Sequence, residues 1–171
     1  MKNMETAYFA GGCFWCITPT FQEMDGVYRV VSGYSGGDEI DPTYLDVKNQ
    51  KTGHRETILV EYDPEKVSFP ELLDIFIGGV DPFDPDGQFI DRGFSYTLAV
   101  YYLDDAQRQA AEAAVQALKE QSGQEVYIAV EPFKGFYAAE EEHQDYYRKN
   151  PEAFRKELIE SGRLKEDGHE S

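Results

Sequence analysis

Apolar and polar residues alternate in short runs along this chain, and Gly, Pro or Asp punctuates most of the joins. Runs rich in Tyr, Val, Ile and Phe predict strands at "ETAYFA" (5–10), "VYRVVSGY" (27–34), "ETILVEYD" (56–63), "YTLAVYYL" (96–103) and "EVYIAVEPF" (125–133). A longer apolar spacing predicts helices between them. "CFWCITPTFQEM" (13–24) reads as a helix with Pro19 near its first turns, entered through Gly11-Gly12 and left at Asp25-Gly26. "SFPELLDIFIGGV" (68–80) has Ser68 in the N-cap position and Pro70 in its first turn. "DDAQRQAAEAAVQALKEQSG" (104–123) starts at acids, carries Ala and Leu at i, i+3, i+4 and ends at Gly123. The segment from Glu140 reads as helical up to Asn150-Pro151. "SGGDEIDPTYLDV" (35–47) and "DPFDPDGQFIDRG" (81–93) read as loops, longer and richer in Tyr and Asp than packing requires. Strands and helices that alternate in this way predict an α/β or α+β two-layer sandwich around a mixed sheet.

Composition narrows the class. The chain has 171 residues, the size of one domain, so residues 1–171 are read as a single unit. Sixteen Lys and Arg face 33 Asp and Glu, a net charge of −17. That balance repels phosphate backbones and predicts no nucleic-acid partner. No apolar run is long enough for a membrane span, and the patch Ala7–Ala10 is too short for the core of a signal peptide. The expectation is a cytoplasmic protein, where a close Cys pair is catalytic or metal-binding more often than a structural bridge.

Both cysteines lie in one short stretch, "GGCFWC", as Cys13 and Cys16 with Phe14 and Trp15 between them. Gly11-Gly12 lets the backbone turn sharply from strand to helix. Cys13 then falls at or near a helix N-terminus, where the unpaired N–H groups and the macrodipole favour a thiolate. Three readings of the pair stand side by side. It could be half of a zinc site, for which His54, His143 and His169 are the available nitrogens, none at ligand spacing from another. It could be a dithiol–disulfide oxidoreductase pair, or two buried structural thiols.

"GGCFWC", "SGYSGG", "DPTY", "TGHRE" and "DRGFSY", in this order, resemble peptide methionine sulfoxide reductases of the A type, from about Tyr8 to Pro151. The resemblance implies an α/β sandwich related to the split βαβ, ferredoxin-like plait, with an irregular C-terminal arm. It implies Cys13 as nucleophile, Glu56 as acid, Tyr44 and Tyr96 as hydroxyl donors and Asp91 as an organiser of the site. Its substrates would be methionine (S)-sulfoxide in oxidised proteins and as the free amino acid. No cofactor or metal is implied; the electrons would come from thioredoxin or a small thiol.

The chemistry asks for those residue types. A thiolate displaces a sulfoxide oxygen only if the oxygen gains a proton as it leaves. The site therefore needs a reactive Cys, a carboxylic acid kept protonated by burial, and hydroxyl donors around the oxygen. The S-methyl group is soft and packs on aromatic faces, a role for Phe14 and Trp15. No Cys follows Cys16, so Cys16 is expected to resolve oxidised Cys13; i and i+3 on a helix share a face. His54 and His143 read as structural. Three departures from the family pattern stand out. Thr18 occupies a position often held by Glu. The common "GTQYR" is "GFSYT", with Phe94, Ser95 and Thr97 in place of polar or charged residues. The C-terminal arm lacks the cysteines many members keep there. The competing readings are a general CxxC oxidoreductase and a redox-sensing or zinc-holding interaction module.

Overall fold

The computed structural model describes residues 4–144, 149–153 and 155–156. Its main sheet runs in the order β7-β6-β1-β3-β2-β8. The strands are β1 (Glu5–Gly11), β2 (Val27–Ser35), β3 (Arg55–Tyr62), β6 (Leu98–Tyr102), β7 (Ile128–Pro132) and β8 (Phe136–Ala138). The inner four, β6-β1-β3-β2, pair antiparallel in the order of a ferredoxin-like plait. β7 adds a parallel edge to β6, and β8 pairs antiparallel with β2. The sheet is mixed, as the sequence pattern predicts.

Period-2 alternation assigns each strand residue to a face. Ala7 and Phe9 of β1, Val30 and Tyr34 of β2, Ile58, Val60 and Tyr62 of β3, and Leu98 and Val100 of β6 share one core cluster. Three helices cover that face: α1 (Phe14–Gln22) through Phe14, Ile17 and Phe21, α3 (Phe69–Gly78) through Leu72, Leu73 and Phe76, and α4 (Asp105–Ser122) through Ala111. On the opposite face Tyr8, Ala10, Ala99, Tyr101 and Phe133 form a smaller cluster. Glu56 falls in register opposite Tyr34 and shares the helix face, while its neighbour Arg55 points to the back.

The helix caps follow the sequence. Ser68 and Glu71 form a reciprocal capping box, and Asp104 accepts a hydrogen bond from the Gln107 amide. Gly123 closes α4 at φ 68°.

Several expectations shift. Pro19 is the sixth residue of α1 and lies inside the helix, where its ring removes the N–H that would bond Trp15. The helix stays short, and Thr18 Oγ1 donates back to the Phe14 carbonyl at 2.6 Å. Tyr96 is not in a strand; it ends a 3-10 turn (Phe94–Tyr96), and β6 starts two residues later. The first predicted loop contains a helical turn, α2 (Tyr44–Lys48), whose N-cap Thr43 accepts from the Asp46 amide. The second contains a two-residue hairpin, β4 (Gly87–Gln88) with β5 (Asp91–Arg92). β8 was not foreseen; its three residues are held by the β2 edge, which local pattern does not reveal. The helix expected from Glu140 starts instead as a 3-10 turn (Glu141–His143) followed by the extended backbone of Gln144, and residues 149, 151–153 and 155–156 are helical, so Asn150-Pro151 does not end helical structure. Residues 145–148, 154 and 157–171, including the tail "KEDGHES", lie outside the described residues.

Candidate active site

Cys13 ends the turn that leaves β1. Gly12 takes φ 87°, a conformation that side chains rarely adopt, and this reverses the chain into α1. Cys13 becomes the N-cap of α1 with φ −60° and ψ 120°, and is 4% exposed. Cys16, in the first turn, donates its amide to the Cys13 carbonyl at 3.0 Å; both thiols are reduced and Cys16 is half-buried.

β3 brings Glu56 beneath the start of α1. The carboxylate is 0% exposed, and its Oε1 accepts the Phe14 amide at 3.2 Å. Its Oε2 is buried and takes no hydrogen bond from the described residues. Burial raises the Glu56 pKa to about 8, with the charges of Asp91 and Cys16 adding to the rise; the Phe14 amide and Lys48 oppose it. The site therefore holds a carboxylic acid that keeps its proton at neutral pH.

The thiolate expected from the helix start does not follow at rest. A hydrogen bond with Cys16 first, then burial, with the Asp91 charge adding to them, push the Cys13 thiol well above its ordinary value. Cys13 rests as a thiol.

Tyr44, Tyr96 and Asp91 arrive on separate elements. Tyr96, 7% exposed, has its pKa raised, by burial first and then by the charges of Glu56, Tyr44, Cys13 and Asp91. Asp91 sits in the β4–β5 hairpin, opposite Gln88. Tyr44 opens α2 and packs on Trp15 with ring centroids 5.9 Å apart and on Phe14 at 6.2 Å. Phe14 is fully buried and forms the floor of this aromatic group, against Tyr34 at 5.9 Å; Trp15 is half-buried beside it. Cys13, Phe14, Trp15, Cys16, Glu56 and Tyr44 thus meet at the start of α1, and Tyr96 and Asp91 act on them electrostatically.

His143, read as structural, packs against the same aromatic group. It stacks on Tyr44 at 4.2 Å and lies 5.6 Å from Trp15 and 5.8 Å from Phe14, so it closes the aromatic box. Burial lowers its pKa, against the pull of Glu140 and Glu142, which keeps the ring neutral. Glu140, three residues earlier, accepts from the Tyr34 hydroxyl at 2.8 Å and from the Tyr44 amide at 3.1 Å, tying the final segment to β2 and α2. Sequence reasoning placed neither residue beside the aromatic group. The cluster "EEEH" was the available signal, but in sequence it reads as a solvated helix face. His54 keeps its structural reading: Nδ1 accepts the Gly37 amide at 3.2 Å and Nε2 bonds the Glu39 carbonyl at 2.8 Å, closing the loop between them. Thr18 is buried and bonds Ser32 Oγ at 3.2 Å, so a longer acid there would displace a packed pair.

The sequence model of peptide methionine sulfoxide reductase matches residues 5–169. The chain belongs to that family. It is 46% identical to the peptide methionine sulfoxide reductase MsrA of Halalkalibacterium halodurans over 165 residues, 95% of this chain and 93% of the relative. Among solved structures, yeast Mxr1 in reduced form superimposes with a TM-score of 0.83 at 29% identity, over 87% of each chain. The same yeast protein in complex with Trx2 shares the fold at a TM-score of 0.55 and 20% identity, over 84% of each chain. The ferredoxin-like core with added edge strands is therefore the reductase fold. Among the described residues no helix is long and apolar enough to cross a membrane.

Proposed function

We propose that this peptide methionine sulfoxide reductase reduces the (S)-sulfoxide of methionine, in proteins and as the free amino acid, with Cys13 as nucleophile and Glu56 as acid. One observation carries the reading. A buried carboxyl with a pKa of about 8 bonds the amide next to the buried thiol and leaves its second oxygen without a protein partner. A protonated acid beside a sulfur nucleophile is what departure of a sulfoxide oxygen requires.

In this reading the S-methyl group lies among Phe14, Trp15 and Tyr44, and the sulfoxide oxygen faces Glu56 with the Tyr44 and Tyr96 hydroxyls donating to it. Asp91 holds the surrounding loop and the charge balance. Bound substrate brings a partly positive sulfur against Cys13, which favours the thiolate that the resting site disfavours. The Cys13 sulfur attacks the substrate sulfur while Glu56 gives its proton to the oxygen. The oxygen ends on Cys13 as a sulfenic acid, methionine leaves, and the thiol's proton restores Glu56. Cys16 then attacks the Cys13 sulfur, expelling water and leaving a Cys13–Cys16 disulfide. Two electrons from thioredoxin or a small thiol reopen it. The Trx2 complex of the yeast neighbour supports a thioredoxin, and the short Cys-x-x-Cys loop lets the bridge close within the first turn of α1. The reading makes residues 1–171 a single cytoplasmic repair domain that uses no bound cofactor.

Racemic methyl p-tolyl sulfoxide with dithiothreitol tests the reaction. One enantiomer is expected to disappear and the other to remain; a general dithiol–disulfide oxidoreductase or an interaction module consumes neither. Cys16→Ser tests the second step. One equivalent of methionine per chain is expected in a single turnover, followed by arrest with thioredoxin as reductant. Wild type treated with one equivalent of substrate is expected to lose two free thiols and to show a Cys13–Cys16 peptide on digestion. Normal turnover of Cys16→Ser with thioredoxin would instead assign resolution to an external thiol.

A further inference from the structure

The turn that delivers Tyr96 carries three departures from the family pattern, Phe94, Ser95 and Thr97, and each is gripped by a side chain from the α2–β3 segment. The Gln50 amide takes Ser95 at both ends: its Oε1 accepts the Ser95 amide at 3.0 Å, and its Nε2 donates to Ser95 Oγ at 2.8 Å. The same amide packs closely against Gly93, where a Cβ would come within 2.7 Å of the Gln50 Cδ and Nε2. On the other side, Arg55 Nε donates to Thr97 Oγ1 at 2.8 Å, and the guanidinium lies 4.4 Å from the Phe94 ring centroid. Arg55 is buried and fixed further by the Tyr101 hydroxyl at 3.0 Å and by Glu131 at 3.3 Å. Gln50 in turn holds the Lys48 carbonyl at 3.0 Å, at the end of the helical turn that Tyr44 opens.

We infer that Gln50 and Arg55 are positioning residues that set Tyr96, and through α2 its distance from Tyr44, replacing the amide and guanidinium that "GTQYR" would carry on the turn itself. An amide and a guanidinium at positions 95 and 97 would be supplied by the turn; here Ser95 and Thr97 receive them from positions 50 and 55. Gln50 spans the two elements that carry the hydroxyls, so its loss lets one move against the other. A displacement near 1 Å in a catalytic group is enough to slow chemistry by one to two orders of magnitude. Gln50 also holds φ 62°, a left-handed conformation that costs a non-glycine residue free energy and marks a position constrained by its contacts.

The inference rests on the reading that the Tyr96 hydroxyl serves the sulfoxide oxygen, and the test separates the two. Single-turnover methionine release is measured in Tyr96→Phe, Gln50→Gly and the double variant. Gly suits φ 62°, so Gln50→Gly removes the amide without adding backbone strain. Tyr96→Phe is expected to slow release about 10²-fold, the usual loss for one donor to a developing oxyanion. Gln50→Gly is expected to slow it about tenfold with KM little changed, and to add nothing once the Tyr96 hydroxyl is gone. An unchanged rate in Tyr96→Phe overturns the reading of Tyr96. Equal slowing by Gln50→Gly in both backgrounds overturns the positioning role and leaves Tyr96 in place. Transposition gives the second arm: Arg55→Thr is expected to lose about tenfold, and Arg55→Thr with Thr97→Arg to recover most of it. Failure of that double variant to recover, while it remains folded, overturns the role of Arg55.

Discussion

Cys13→Ser is expected to release no methionine in a single turnover, a loss of at least about 10³-fold, while the folded protein stays as stable as wild type or gains up to about 1 kcal/mol. The two halves have separate causes. A serine hydroxyl supplies no nucleophile comparable to a sulfur at neutral pH, and the resting site already disfavours an anion there, through the hydrogen bond with Cys16 first and burial next, with Asp91 adding to them. The stability half follows from the helix cap. Cys13 sits at the N-cap of α1 and makes no side-chain capping bond, whereas serine is among the preferred N-cap residues and has an oxygen to offer the first-turn amides. Methionine release by chromatography and thermal unfolding of the same preparation read both. Activity above a tenth of wild type removes Cys13 from the nucleophile's place. A lower melting temperature would mean that the thiol packs in a way the hydroxyl cannot reproduce.

Glu56→Gln is expected to slow sulfenic acid formation about 10²-fold or more, the usual contribution of a general acid. Glutamine keeps the oxygen that accepts the Phe14 amide but has no carboxylic proton to give. Glu56→Asp retains the acid one methylene further from the oxygen, and is expected to lose less. The pH dependence has a definite sign. Glu56 must be protonated to act, so the wild-type rate carries a limb that falls as pH rises through about 8; Glu56→Gln loses that limb. Stability follows the same proton. Because the folded pKa lies above the ordinary 4.5, the folded state binds the proton more tightly than the unfolded chain between these values. The contribution is fully present below pH 4.5 and is lost as pH rises through about 8. Glu56→Gln, neutral throughout, is expected to match wild type near pH 4.5 and to exceed it increasingly up to pH 8 in thermal unfolding. A rate for Glu56→Gln equal to that of wild type would take Glu56 out of the chemistry. Parallel stability curves would mean that its carboxyl is ionised at rest.

Much of this was legible in order along the chain. Alternating apolar runs gave the four inner strands because one face of each is buried and the side-chain period is 2. Ser68, Asp104 and Gly123 marked helix ends because local hydrogen bonds and φ decide them. β8 and the two small loop elements were not legible. A three-residue strand has too few positions for a period, and β8 exists because the β2 edge offers it partners. Tyr96, which ends the 3-10 turn, was read as the first residue of a strand for a related reason: an aromatic suits a sheet, while the contacts on the turn come from Gln50 to Ser95 and Arg55 to Thr97.

The sequence by itself determined the local setting of Cys13. Two glycines, two thiols and two aromatics in six residues specify a sharp turn into a helix start, and the ordered motifs specify the reductase family. What it could not determine is the protonation of that setting. A helix N-terminus alone argues for a thiolate at Cys13, because its dipole is a local property of the backbone. Only the tertiary structure sets Glu56, forty-three residues away, fully buried under the Phe14 amide with Asp91 nearby; burial there keeps the proton on Glu56 and, after the hydrogen bond with Cys16, raises the Cys13 thiol as well. His143 follows the same logic: as one letter in an acidic segment it has no distinguishing chemistry, and it becomes a wall of the site because Glu140 bonds Tyr34 and Tyr44 and brings the ring onto Tyr44. Local order fixes which groups are available; burial and long-range contact fix which of them hold a proton.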